Sequence, residues 1–257
     1  MQMYRTTSVV FKGMMNEIIC ADCMEVLRSM PDKSVDLILT DPPYGTTSNE
    51  WDTPVDFWDE FKRVCRGGFV VFSSQPYTTD LINGNRKQFK YSWIWNKAVA
   101  GNFVIVKYQP LKVHEEINVF GDVKYRPIMR KGKLRWKGGS ASGNRNTNNI
   151  KSIARFYEEY FPTSILDFNN AGYRSTSVHP TQKPVELMRY LVETYSQEGD
   201  TILDPFCGSG TTCVAAKILG RKYIGIEIDE RYATIARSRV EQSQYEERLF
   251  AVTAQEA

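Results

Sequence analysis

The sequence predicts an α/β fold built on a seven-stranded, mostly parallel sheet with helices on both faces. Two observations carry this. Short apolar runs rich in β-branched and aromatic residues alternate with helical patterns. Two of these runs also lead directly into ligand-type loops, TDPPY and LDPFCGSG. A third observation qualifies the picture. One segment is strongly basic and breaks the alternation.

In chain order, strands are predicted over Glu17–Cys20, Val35–Thr40, Phe69–Phe72, Tyr91–Trp95, Glu116–Phe120, Thr201–Pro205 and Tyr223–Glu227. Asp22 is placed to cap a helix over Met24–Met30. Pro54–Cys65 puts Phe57, Trp58, Phe61, Val64 and Cys65 on one stripe, and Gly67-Gly68 is expected to end it. Pro184–Ser196 carries Met188, Leu191, Val192 and Tyr195 at helical spacing, with Pro184 suited to the first turn. Thr211–Leu219 ends at Gly220, and Asp229 caps a last helix.

The composition of the 257 residues is that of an ordinary globular chain, 42% apolar and 25% charged, which excludes disordered, collagen-like and mucin-like proteins. The net charge of +3 is unevenly spread. Residues 121–178 hold eleven Lys and Arg against four acids, a net of +7, and the remainder carries −4. Within this window Gly138–Asn149 is mostly Gly, Ser and Asn, with one Ala, one Thr and a single Arg, and is expected to be a mobile loop. No apolar run approaches the roughly 18 residues of a membrane span, and no signal peptide is evident, so a cytoplasmic location is expected. Cys20 and Cys23 form a lone C-x-x-C, and His114 and His179 are distant in sequence. No metal is expected, because a structural zinc site takes four ligands. Buried small thiols are the simpler account.

In TILDPFCGSGTT, Gly208 and Gly210 permit a turn of positive φ after a strand, and Asp204 stands at that strand's carboxyl end. Glu227 ends the next strand, twenty-three residues on, at a spacing suited to ribose hydroxyls. A structural tight turn explains the G-x-G alone equally well. Two acids would repel a phosphate but suit a nucleoside bearing a cationic group. In the other loop, two prolines fix the backbone after VDLILT and hold Asp41 and Tyr44 rigidly at the ligand edge. A proline-stiffened surface turn is the plainer alternative.

With these residues in view, the chain resembles the S-adenosylmethionine-dependent amino DNA methyltransferases that act on adenine N6 or cytosine N4. DPPY resembles the family's catalytic motif, DPFCGSGTT its cofactor motif, and HPTQKPVELMRYLV from His179 its third element. The order is DPPY, basic segment, HPTQKP, glycine loop, the circularly permuted order of the family's β group. The resemblance implies a Rossmann-like methyltransferase fold. Residues 1–120 form its catalytic half, 121–178 a target-recognition insertion, and 179–257 its cofactor-binding half.

The resemblance further implies that Asp41 and the Pro42 carbonyl accept hydrogen bonds from the target amine, with Pro43 shaping the loop and Tyr44 stacking on a flipped base. For the cofactor it implies Glu227 at the ribose, Asp22 near the adenine amino group, and Asp204, Phe206 and Gly208 along the methionine and adenosine edge. It puts Lys183 at the methionine carboxylate with Thr181 beside it. Cys23, Pro205, Gly210, Thr211 and Ile228 complete that set. Taken alone, Lys183 reads first as a solvated surface lysine, and Asp22 as a helix cap that can also serve the cofactor.

The spaced cations of the basic segment, with Tyr125, Trp136 and Phe156 among them, suit a phosphate backbone. Arg130, Lys131, Lys133, Arg135 and Arg145 are the candidate contacts. The expected partner is duplex DNA, read over about four to six base pairs. The resemblance also admits a homodimer and a cognate restriction enzyme. Asp41 rather than Ser favours adenine N6. Cytosine N4, an RNA substrate and a silent DNA-binding paralogue stand as alternatives.

Overall fold

The computed structural model describes residues 13–45, 53–101, 103–138, 155–169 and 182–245. Thr181, His179, Arg145 and nearly all of the Gly138–Asn149 loop lie outside them. The chain divides into two compact units, one drawn from Met1–Tyr125 and Ser164–Arg248, the other containing Arg126–Thr163.

The first unit is a mixed sheet with helices packed on it. Its elements run β1 Glu17–Cys20, α1 Cys23–Ser29, β2 Val35–Thr40, α2 Trp58–Val64, β3 Cys65–Ser73, α3 Tyr77–Gly84, β4 Phe89–Gly101 and β5 Lys112–Gly121. After the second unit's β6 Arg130–Lys137 and β7 Arg155–Tyr160 come β8 Ile165–Asp167, α4 Val185–Tyr195, β9 Thr201–Asp204, α5 Thr211–Ile218, β10 Lys222–Glu227 and α6 Glu230–Gln242. The strand order is β1-β10-β9-β2-β3-β5-β4-β8. Contacts from β1 through β3 are parallel, β5 runs antiparallel to both of its neighbours, and β8 pairs parallel with β4.

The sheet therefore has eight described strands, not seven. The additional strand, Ile165–Asp167, is a three-residue edge strand with only Leu166 buried, too short to show a period of two. The expected helix stop at Gly67-Gly68 is also corrected. Helix α2 ends at Val64, and both glycines lie inside β3. They are required by close backbone approach. A Cβ on Gly67 would stand 2.2 Å from the Asp36 carbonyl oxygen, and one on Gly68 2.4 Å from that of Phe120. The same stretch carries a register shift between Val35 and Leu37. Helix α2 begins at Trp58 and not at Pro54, and helix α3, whose sequence YTTDLING is poor in helix formers, had no sequence signal.

Aromatic packing on one face anchors β2 and β3. Phe57, Phe61, Phe69 and Phe120 are each 2% exposed or less and pack around Trp58. Burial of each such side chain contributes on the order of 1.5–3 kcal/mol. Helix α4 is buried along most of its length, including Leu187, Met188, Leu191 and Val192.

The second unit contains the antiparallel pair β6–β7, in which Trp136 faces Phe156 across the strands with ring centroids 4.9 Å apart. Every residue of β6 is exposed. A strand with no buried face carries no alternating pattern, so sequence reasoning could not place it. Among the described residues, no helix is long and apolar enough to cross a membrane.

Candidate active site

The parallel strands bring two loops to one sheet edge. Strands β9 and β2 are neighbours, with Ile38 opposite Leu203, so Thr40 and Asp204 end their strands side by side. β10 lies on the other flank of β9, and Glu227 ends it opposite Cys20 of β1. This is the carboxyl edge at which open α/β sheets carry ligands.

Asp204 is 4% exposed and fully engaged. Its Oδ1 accepts from the Thr40 hydroxyl at 2.6 Å and the Phe206 N–H at 3.2 Å, and its Oδ2 accepts from the Thr212 hydroxyl at 2.5 Å. Burial pushes its carboxyl up to about 6, against the pull of these donors. Beyond it the backbone turns through Gly208 at φ 51° and Gly210 at φ 79°, the left-handed region that favours glycine. A Cβ on Gly210 would also meet Ala236 of α6 at 2.8 Å. Pro205 and Thr211 are buried, and the Phe206 ring lies 6.1 Å from that of Phe57.

Glu227 accepts from the N–H groups of Gly208 and Asp229, both at 2.9 Å. Burial raises its carboxyl above the usual range. Asp22 is exposed and caps α1, its Oδ1 accepting from Met24 and Glu25 N–H at 2.9 and 3.0 Å. Cys23 is buried beneath it and Ile228 is 64% exposed.

Asp41 is half-buried just past β2. The Tyr44 hydroxyl donates to its Oδ1 and the Lys183 ammonium to its Oδ2. Pro42, the next residue, is buried, and Pro43 is half-buried. The Tyr44 ring stacks on Tyr77 of α3, with centroids 5.2 Å apart and planes 23° from parallel. Lys183 is therefore not a surface lysine. Its side chain is 9% exposed, and its ammonium also lies 3.4 Å from Glu115 Oε2. Burial opposes the charge on Lys183, but the two carboxylates override it and hold the ammonium above the ordinary lysine range.

A rigid acid and aromatic at one strand end, beside a glycine turn with its own acids, is the arrangement that known amino methyltransferases can be compared with directly. The DNA methylase family model for N6 and N4 enzymes matches residues 35–238. The chain is a DNA methyltransferase of the N6/N4 family.

Among relatives of this methyltransferase, the type II methyltransferase M.HpaI of Haemophilus parainfluenzae is 27% identical over 243 residues, covering 87% of this chain and 74% of that protein. M.HinfI of Haemophilus influenzae is 28% identical over 255 residues, covering 88% and 68%. In fold, the methyltransferase superposes on the M1.HpyAVI–SAM complex with a TM-score of 0.61 at 24% identity, covering 87% of this chain and 98% of that one. The cytosine-N4-specific PvuII methyltransferase gives 0.60 at 18% identity, covering 86% and 85%.

Several residues of the methyltransferase's site had no signal in sequence. Glu115 of β5 meets Lys183 and also accepts from Lys97 of β4 at 3.0 Å. Arg239 of α6 binds the Ser209 hydroxyl at 2.8 Å and that of Thr211 at 3.1 Å, bracing the glycine turn. Thr40, Thr212 and Tyr77 complete the set. The only available hint was polar residues standing inside or beside apolar runs, such as Glu115 before INVF.

In the second unit, Arg130, Lys131, Lys133 and Arg135 are all exposed, and the Arg135 guanidinium lies 5.7 Å from the centre of the Tyr160 ring. Among the described residues, no group of three or more His, Cys, Asp or Glu is arranged to hold a metal ion.

Proposed function

We propose that this methyltransferase moves a methyl group from S-adenosylmethionine to the N6 amino group of an adenine flipped out of duplex DNA. The observation that carries the proposal is the Asp41 carboxylate at the end of β2. It is held in place by Lys183 and Tyr44, one strand away from the Asp204–Gly208–Glu227 turn.

The residues fit the cofactor. Glu227 is a carboxylate held by two backbone donors, with lone pairs left for ribose hydroxyls. The positive-φ glycines let the backbone approach a ligand, and the acids Asp204 and Glu227 suit its positive charge. Phe206, Pro205, Gly208, Gly210 and Thr211 form this turn, with Asp22 and Cys23 at the start of α1, just past β1, and Ile228 just past β10. The Lys183 ammonium is held by Asp41 and Glu115, and Thr181 lies outside the described residues. When bound, S-adenosylmethionine supplies an electrophilic methyl group on a sulfonium. M1.HpyAVI was solved with it bound.

The chain's own residues then act on the base. An exocyclic amine is a poor nucleophile because its lone pair is delocalised into the ring. Asp41 and the Pro42 carbonyl accept its N–H groups, localise the lone pair and favour the positive charge that develops on nitrogen. Holding the amine in line with the methyl group supplies much of the remaining acceleration. The target atom is unreachable in a stacked duplex, so the base leaves the helix. Tyr44 then offers it a ring to stack on.

Asp41, rather than a serine, at this position favours adenine over cytosine N4. The exposed Arg130, Lys131, Lys133 and Arg135 of β6 support the role of the basic unit as the DNA-reading element, with Arg145, outside the described residues, as a further candidate. Incubation of duplex DNA with methyl-labelled S-adenosylmethionine, followed by nucleoside digestion and mass spectrometry, tests the proposal. N6-methyl-2′-deoxyadenosine is expected. Labelled N4-methylcytosine in its place would overturn the base assignment.

A further inference from the structure

The motifs account for Asp41 and Lys183, but not for the row of charges behind them. Lys97 Nζ lies 3.0 Å from Glu115 Oε1, Glu115 Oε2 lies 3.4 Å from Lys183 Nζ, and Lys183 binds Asp41 Oδ2. The side chains of Lys97, Glu115 and Lys183 are 15%, 16% and 9% exposed, so solvent screens the row poorly. Register explains how it is built. Glu115 pairs with Trp95 across β4 and β5, which brings Lys97 of β4 to the same edge. The Lys183 ammonium also sits 5.1 Å from the centre of the Phe72 ring, at the end of β3.

We propose that Glu115 is a positioning residue for methyl transfer. It shares the Lys183 ammonium with Asp41, so that Asp41 keeps its charge yet remains a strong acceptor for the target amine, and Lys97 sets how strongly Glu115 pulls. The inference rests on Asp41 being the amine acceptor. An ammonium given wholly to Asp41 would hold that carboxylate ionised but drain its basicity. A second carboxylate on the same ammonium divides the attraction and adds like-charge repulsion. The other groups facing Asp41 are the Tyr44 hydroxyl on its own loop, Tyr77 of α3 behind Tyr44, and Asp204 at the end of β9, which carries like charge. The balance of burial, Lys183 and Glu115 leaves the Asp41 carboxyl above its ordinary range. Glu115, held between two lysines, lies below its own despite burial. In the reaction the nitrogen lone pair forms the N–C bond as the S–C pair returns to sulfur. The surplus proton on nitrogen passes to Asp41 and then to water.

The test is the pH dependence of single-turnover methyl transfer by the full-length wild type, Glu115→Gln and Lys97→Met. Glu115→Gln gives Lys183 wholly to Asp41. Its acidic limb is expected to move down by about half a pH unit or more, with the plateau rate about tenfold lower. Its affinity for S-adenosylmethionine by calorimetry is expected to stay within about twofold of wild type, since Glu115 faces Lys183 and not the glycine turn. Lys97→Met leaves Glu115 to Lys183 alone and is expected to move the limb up. A merely structural role would move both limbs alike or neither, and that result overturns the proposal. If thermal melts show Glu115→Gln unfolded, an unmoved or lowered limb in Lys97→Met overturns it. Failure of the wild type to methylate adenine would instead overturn the assigned reaction.

Discussion

The Thr40 hydroxyl donates to Asp204 Oδ1 at 2.6 Å, joining the strand that carries the DPPY loop to the strand that carries the glycine turn. Both residues are buried. The bond fixes the two loops relative to each other at their roots. Thr40→Val removes the donor and leaves a buried carboxylate one partner short, a loss of about 1–3 kcal/mol. Denaturant unfolding of the variant is expected to show that loss, and its cofactor affinity by calorimetry to fall. Unchanged stability would mean that the contact contributes nothing.

Asp204 also makes stability depend on pH. Its folded carboxyl titrates near 6, against an ordinary 3.8. A raised folded value means that the protonated form favours the fold. The associated stability is fully present below about pH 4 and is lost as pH rises through 6, by about 3 kcal/mol over the window. Asp204→Asn lacks this dependence. The stability of the variant relative to wild type is expected to climb between pH 4 and 7, and parallel curves would contradict the assignment of that titration to Asp204.

The glycine turn can be tested with a matched pair. Gly210 and Gly199 both have positive φ, 79° and 84°, but a Cβ meets Ala236 at 2.8 Å only in the first case. Gly199→Ala is expected to cost the left-handed backbone alone, about 1–2 kcal/mol. Gly210→Ala is expected to cost more and to lower the melting temperature further, by several degrees, with loss of cofactor affinity. Equal melting temperatures would show that α6 yields to the added methyl.

The exposed cations of β6 make a salt-dependence prediction. Replacing Arg130, Lys131 and Lys133 by Gln is expected to reduce the slope of log K against log salt for DNA binding by about 2–3. An unchanged slope would remove this strand from the interface.

Much of the sheet was legible because parallel strands are buried on both faces and appear as continuous apolar runs, as in VDLILT and YIGIE. Asp41, Glu227 and the glycine turn were legible because each sits immediately after such a run. The partners of Lys183 were not. Asp41 lies 142 positions away, and nothing local in HPTQKP says whether the lysine faces solvent, a carboxylate of a ligand, or a carboxylate of the chain. Glu115 and Lys97 meet because of the β4–β5 register, which is a property of pairing and not of either segment. Gly67 and Gly68 were misassigned for a related reason. Their role is set by the neighbouring backbone, and a helix stop looks the same in sequence. Strands β6 and β7 lacked the buried face from which a strand is read.

The central claim is a division of labour, with Asp41 serving the amine and the Asp204–Glu227 turn serving the cofactor. It is tested most directly by Asp41→Ala, with single-turnover methyl transfer to duplex DNA and calorimetric titration of S-adenosylmethionine measured on the same preparation. The account predicts that transfer falls by about a thousandfold or more while the cofactor dissociation constant stays within about threefold of wild type. Transfer that survives, or cofactor affinity that collapses in parallel with it, would contradict the account.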